Sequence, residues 1–425
     1  MRISIASLLA LMGLLAATLA WGGSPAEPSL HSPWGNCLVV TPEGPRDGGD
    51  FGPHTPGTKT SGLQEAFHAA KTQNKGLYIA GGSLSFIQSQ PVVYFIHETL
   101  HIPWMQDFRL DGGHYVIQYT PKSGDAVVID SQMSCAYRFG LIVSNADGAV
   151  VRLKPATAGP DRFQVITSTE FVFNAIVGGG GAWPGGEAFD SELDPDHVWK
   201  GVGLHLDGEP GPIDANKITV LETVGCHVGL LLTGKVTRNS IEETNIHLCQ
   251  THAIIGQPTG AAVDDNRIEA FMDSQGIEQS IGVRLFGKDN LLTLSASRMA
   301  PNRDVIFEAP ASGNTVVAHR LTGGITNLAA QPTNRLHASL NTAIETETPD
   351  IPAAGVTAIN RNLFPTLIRF TYAGKVDRWF EVDGSGHDSA YGGPLAGTET
   401  ILLNPGEGFR WEGTEPPQWL WKGVR

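Results

Sequence analysis

Residues 215–249 read ANKITVLETVGCHVGLLLTGKVTRNSIEETNIHLC, and two Asn-x-aliphatic triplets within them, Asn216-Lys217-Ile218 and Asn239-Ser240-Ile241, decide the fold. The triplet returns as Asn266-Arg267-Ile268, Asn290-Leu291-Leu292, Asn314-Thr315-Val316 and Asn334-Arg335-Leu336. The intervals between the asparagines are 23, 27, 24, 24 and 20 residues. A period in the low twenties is a repeat signature. Between the triplets lie short β-type runs, VGLLLTG (228–234), HAIIGQ (252–257), GVRLFG (282–287) and DVIFEA (304–309), bounded by Gly and polar residues. Each period is too short for a helix-turn-helix unit and lacks the leucine pattern of a leucine-rich repeat. It fits one coil of a parallel β-helix, in which short strands stack rung on rung. An antiparallel sandwich is the alternative. In the β-helix reading Asn tolerates the left-handed backbone of a tight turn. Its amide bonds from rung to rung, and the following aliphatic residue points inward.

Working outward, SGLQEAFHAAKTQNKGLYIAGG (61–82) begins with Ser61 and Gln64 spaced as a capping box. Leu63, Ala66, Phe67 and Ala70 then recur at helical spacing, and a strand follows over 77–80. Such a helix suits the open end of a solenoid, whose edge needs a cover. DGGDFG (47–52), GLQEAFHAAK (62–71) and GLYIAGG (76–82) together resemble the opening segment of the pectin-lyase-like, right-handed parallel β-helix superfamily, over roughly residues 47–345. The resemblance implies that fold and a secreted or phage-borne protein acting on polysaccharide. It assigns no reaction, because the superfamily holds lyases, hydrolases, epimerases and adhesins. Asp264-Asp265 is similar to the paired aspartates of polygalacturonases, but that family's other catalytic motifs are missing, so the pair reads as a turn into Asn266.

The composition agrees with an all-β chain: 425 residues, 17% charged, with 51 Gly and 27 Pro. A net charge of −14 argues against a nucleic-acid partner, whose phosphates require a basic surface. Arg2, the apolar run 3–19 and the small residues Ala16, Ala17 and Ala20 have the order of a secretory signal, expected over 1–20. A strap over 21–60 and the β-helix over 61–345 follow. No later run is long enough to span a bilayer, and the expected location is outside the cytoplasm: secreted, periplasmic or on the cell surface. After TAIETETPDIPAAG (342–355), the last part of the segment 346–425 changes to aromatic-rich alternating strands, KVDRWFEVDG, TILLNPGEGFRWEG and PPQWLWKG. This β module is expected to close the solenoid, to bind carbohydrate through Trp, or to join subunits of a homo-oligomer.

Two constellations invite chemistry. Three positions after their asparagines stand Thr219, Glu242, Glu269 and Thr293, so Glu242 and Glu269 should face outward one rung, ~4.8 Å, apart. Close carboxylates cannot both ionise freely, and such a pair suits glycosidic hydrolysis; a solvated or cation-binding pair is the plainer reading. His247, Asp273 and Arg298 lie seven or eight positions after their asparagines and could border the same groove. The loop VGGGGAWPGGEAFDSELDPDHVWKG (177–201) carries Asp190, Glu192, Asp194 and Asp196 as possible Ca²⁺ ligands. Trp183 and Trp199 in it could wall a sugar cleft, and Lys200 ends it. A uronate lyase would draw on Lys200, His247, Arg298 and the acidic loop. A non-catalytic rod or adhesin is the rival. Cys226 and Cys249 both stand ten positions after an asparagine, reading as a buried thiol column at a spacing that also permits a disulfide. His247 and His252 beside Cys249 lack the ligands of a zinc site.

Overall fold

The computed structural model describes residues 36–81, 92–156, 158, 163–178, 200–261, 263–274, 279–297, 299–301, 303–321, 324–330, 333–338, 348–397 and 399–424. Among these the chain is all-β apart from one α-helix, Leu63–Gln73, and one short 3₁₀ turn. The strands from Cys37–Val40 to Arg335–Ala338 form two long sheets of 14 and 12 strands, and every strand pair in them is parallel. This is the arrangement of a parallel β-helix in general. The runs 228–234, 252–257, 282–287 and 304–309 all supply strands of the 12-stranded sheet, on Val228–Thr237, Thr251–Ile255, Ile281–Leu285 and Val305–Phe307.

The asparagines do one of their two expected jobs. Each donates both its backbone N–H and its side-chain Nδ2 to the Oδ1 of the asparagine one coil later, at 2.9–3.1 Å, from Asn216 through Asn239, Asn266, Asn290 and Asn314 to Asn334. All six side chains are buried. The left-handed backbone belongs instead to the preceding residue: Ala215, Arg238, Asp265, Asp289 and Gly313 have φ between 54° and 67°. Asp264-Asp265 is that turn, as its sequence suggests.

Each coil shows three strand faces. On the first, Ile218, Ile241, Ile268, Leu292, Val316 and Leu336 stack inward in register. The chain then turns a corner. In the coil of Asn216 the inward residues Val220 and Thr223 are three apart, with Leu221 and Glu222 between them; Glu243 and Ile246 repeat this one coil later. The second face is short and carries Val224 and His247 outward. The third face is the 12-stranded sheet. In the early coils aromatic rings take the place of aliphatic tiles: Tyr137 stacks on Phe171 at 5.3 Å and Phe139 on Phe173 at 5.1 Å between centroids, which suits the offset packing rings prefer.

The helix buries Leu63, Ala66, Phe67 and Ala70, the residues its spacing selects. The capping box does not form. The N-cap is Gly62 at φ 79°, the Ser61 hydroxyl donates to the carbonyl of Phe95, and Thr60 Oγ1 accepts from the Gln64 backbone. A left-handed N-cap turns the Ser61 side chain away from the helix start. The Gln64 amide instead bonds both backbone groups of His101, in a terminal strand of the 12-stranded sheet.

Residues 357–423 form two antiparallel sheets of four and three strands. Their own core holds Phe370, Phe409, Trp411, Trp419 and Trp421. Three of the tryptophans considered for sugar binding are therefore interior residues, and Trp379 packs partly buried against them. Leu363 and Phe364 belong to the solenoid's core, and the Leu336 N–H donates to the Leu363 carbonyl at 2.6 Å.

Candidate functional site

On the outward side of the second face one register column runs Val143, Val177, Val224, His247, Asp273, Ser297. Its first members join Val116, Leu141 and Ala175 in a buried apolar cluster separate from the main core. At His247 the column becomes polar. His247 Nε2 lies 3.2 Å from Glu222 Oε1, and His247 Nδ1 lies 3.0 Å from Asn245 Nδ2. Burial pushes the imidazole down to about 4, partly opposed by Asp273, and burial raises the Glu222 carboxyl. A neutral ring with its proton on Nε2 satisfies both contacts: it donates to Glu222 and accepts from Asn245. Two groups displaced in opposite directions within one partly enclosed site are the raw material of acid–base chemistry.

The corner explains how Glu222 reaches this place. Two residues stand between the inward Val220 and Thr223, and the second of them, Glu222, projects beside the second face. Lys200 sits at the turn between the second and third faces, where its carbonyl accepts from the His227 N–H at 3.2 Å. Lys200, His227 and Gln250 are all exposed there.

Glu242 and Glu269 are register partners on adjacent coils, between Thr219 and Thr293, as their spacing predicts. Both are exposed, on the first face. The nearby Lys217 pairs with Glu170 at 2.9 Å; Glu170, and to a lesser extent Glu242, raise its ammonium. His247 and Asp273 are partners likewise. The corner separates the two pairs, so the single groove expected to hold all four residues divides into an open face and a more enclosed one. Trp183, Trp199, Asp190, Glu192, Asp194, Asp196 and Arg298 lie outside the described residues. Among the described residues no cluster of three or more His, Cys, Asp and Glu side chains has the geometry to hold a metal.

A second outward cluster went unread in the sequence. On the third face Arg152 contacts Asp125 at 2.8 Å and Asp207 at 3.2 Å. His205, beside it, bonds Thr233 at 2.9 Å and is pushed down to about 4 by burial, with Arg152 adding to the effect. Asp125, Arg152 and the His205/Asp207 pair come from three coils, far apart in sequence and before the asparagine signature begins, and Thr233 comes from the coil that follows. Arg152 is already shared by two carboxylates, so this cluster reads as a neutralised ion-pair network. Glu222 was missed for another reason: nothing in the triplet period marks the corner.

No protein-family model matches the chain, and no curated protein matches it significantly.

Proposed function

We propose that this protein is a right-handed parallel β-helix that acts, after export, on a polysaccharide, hydrolysing a glycosidic bond at the second face. The helix 63–73 and the C-terminal module close the two ends of the stack. The contact between Glu222 and His247, beside Asp273, carries the reading. Glu222, whose carboxyl burial raises, serves as general acid. Asp273, two coils away, serves as the base that activates water, and His247 orients the acid through its Nε2–H. Half-buried Val224, the register neighbour of His247, suits the carbon-rich face of a sugar ring, while Lys200 and His227 at the adjoining turn supply polar contacts. The exposed Glu242/Glu269 pair offers the same residue types but no enclosure, and interactions between solvent-exposed charges are screened.

The test is a polysaccharide panel assayed for new reducing ends and for ultraviolet absorbance of unsaturated uronates. Hydrolysis gives the first signal without the second. Glu222→Gln and Asp273→Asn should each lower kcat by ~10²-fold or more, the ordinary worth of a general acid or base. Glu242→Gln and Glu269→Gln should leave it unchanged. Full activity in Glu222→Gln removes the assignment. Unsaturated products would mean elimination, and retention on the polysaccharide without either signal would mean a binding protein.

A further inference from the structure

Two residues beyond the Val224/His247 register pair, successive coils place Cys226 and Cys249 in equivalent positions. Cys226 Sγ donates to the Val224 carbonyl at 3.5 Å, and Cys249 Sγ to the His247 carbonyl at 3.4 Å. A Cβ built at Gly203 would lie 3.3 Å from Cys226 Sγ, and one at Gly229 would lie 3.4 Å from Cys249 Sγ. The two environments are thus the same, displaced by one rung. The backbones are joined there, with the Gln250 N–H donating to the Cys226 carbonyl at 3.2 Å. The thiols are free and completely buried, and Cys249 lies close enough to Cys226 to raise its thiol. Gly178, one coil below, leaves the space that Cys226 Sγ fills: a Cβ there would stand 2.6 Å from it.

We propose that Cys226 and Cys249 are a disulfide-forming pair that staples the coil carrying Glu222 to the coil carrying His247. Adjacent rungs are ~4.8 Å apart, inside the range of roughly 4.4–6.8 Å between Cα atoms that a disulfide spans. The other two cysteines have no such option. Cys37 pairs with Gly76, and three rungs separate its position from Ala136, the neighbour of Cys135. That is roughly 14 Å, beyond reach. The oxidant is an external disulfide such as oxidised glutathione. One cysteine, as thiolate, attacks it, forming a mixed disulfide and releasing one glutathione thiolate. The second cysteine, as thiolate, then attacks the mixed disulfide and releases the other. The two glutathione thiolates take up the two protons lost by the cysteines. Because both sulfurs are buried, exchange occurs while the coils dock.

The staple stands or falls on thiol chemistry, independently of any activity. The full chain is refolded in a glutathione buffer poised for oxidation, then denatured and alkylated without reductant. The expected result is that Cys37 and Cys135 are alkylated, and that the peptides of Cys226 and Cys249 are joined, two hydrogens lighter than the reduced pair. Alkylation of both Cys226 and Cys249, or their linkage to Cys37 or Cys135, overturns the proposal. Reductant should lower the Tm of the oxidised chain and leave the Tm of Cys249→Ala unmoved. Equal Tm values for the oxidised and reduced native chain would refute stapling.

Discussion

At the residue scale the anomaly is Glu243. Its column neighbours are Val220 and Ala270, both buried and apolar. Glu243 is 1% exposed, one oxygen accepts from Thr223 Oγ1 at 3.0 Å, and the other has no protein partner. Burial drives its carboxyl well above the ordinary value of 4.5. The folded state therefore holds this proton more tightly than the unfolded chain does. The stability this proton contributes is complete below about pH 4.5 and is lost as pH rises through the folded-state value. His205 and His247 act in the opposite sense. Each is lowered from 6.5 to about 4, so the folded state prefers the neutral rings. Their contribution is complete above pH 6.5 and is lost as pH falls toward 4, by about 3 kcal/mol per ring. Tm measured from pH 4 to 9 should fall on both sides, and Glu243→Gln should flatten the rise in instability above pH 5 while His205→Gln flattens the acid side. An unchanged profile in Glu243→Gln would show that the carboxyl is solvated.

Among elements, the asparagine ladder fixes the register of the first face. Asn290 accepts from the N–H and Nδ2 of Asn266 and donates to the carbonyls of Val263 and Lys288 and to Asn314 Oδ1. Asn290→Ala leaves the buried Asn266 N–H without its acceptor and the carbonyls of Val263 and Lys288 without the Nδ2 donor, whereas Asn266 Nδ2 keeps the carbonyls of Val236 and Asp264, and each such loss costs about 1–3 kcal/mol. A total near 3 kcal/mol or more is expected in denaturant unfolding, whereas Arg267→Ala, at an exposed position one coil away, should change stability by less than ~0.5 kcal/mol. The same ladder explains what could be read in advance. From Asn216 onward every coil displays its asparagine, and the period, the inward aliphatic column and the Glu242/Glu269 pairing all follow from counting. Earlier coils place Thr169 and Cys135 at the equivalent position, where Thr169 N–H donates to Asn216 Oδ1 and Cys135 N–H to Thr169 Oγ1. These residues serve the ladder without announcing it. The corner was hidden too, since three-residue spacing of inward positions depends on where the backbone bends. Counting from the asparagines therefore does not single out Glu222, and it sets His247 on the same face as Glu242.

For the whole molecule the question is how a stack of coils ends. Every interior strand has partners on both sides, but the strands Arg335–Ala338 and Ile325–Asn327 terminate their sheets. Unpaired strand edges invite association. The segment 361–364 meets this end: the Leu336 N–H donates to the Leu363 carbonyl, Asn327 Nδ2 donates to the Arg361 carbonyl at 3.1 Å, and Phe364 is buried in the main core. A charge at Phe364 would be driven out of that core and take the segment with it. Stability in a solenoid is a sum of local and nearest-neighbour contributions, so the damage should stay local. Phe364→Asp should therefore speed amide hydrogen exchange in 315–338 while the strands Val127–Ile129 and Ala149–Leu153 keep their protection, and it should promote concentration-dependent association. Uniform loss of protection along the chain would mean that the C-terminal module stabilises the solenoid as one cooperative unit. Exchange unchanged everywhere would mean that the last coil needs no cover.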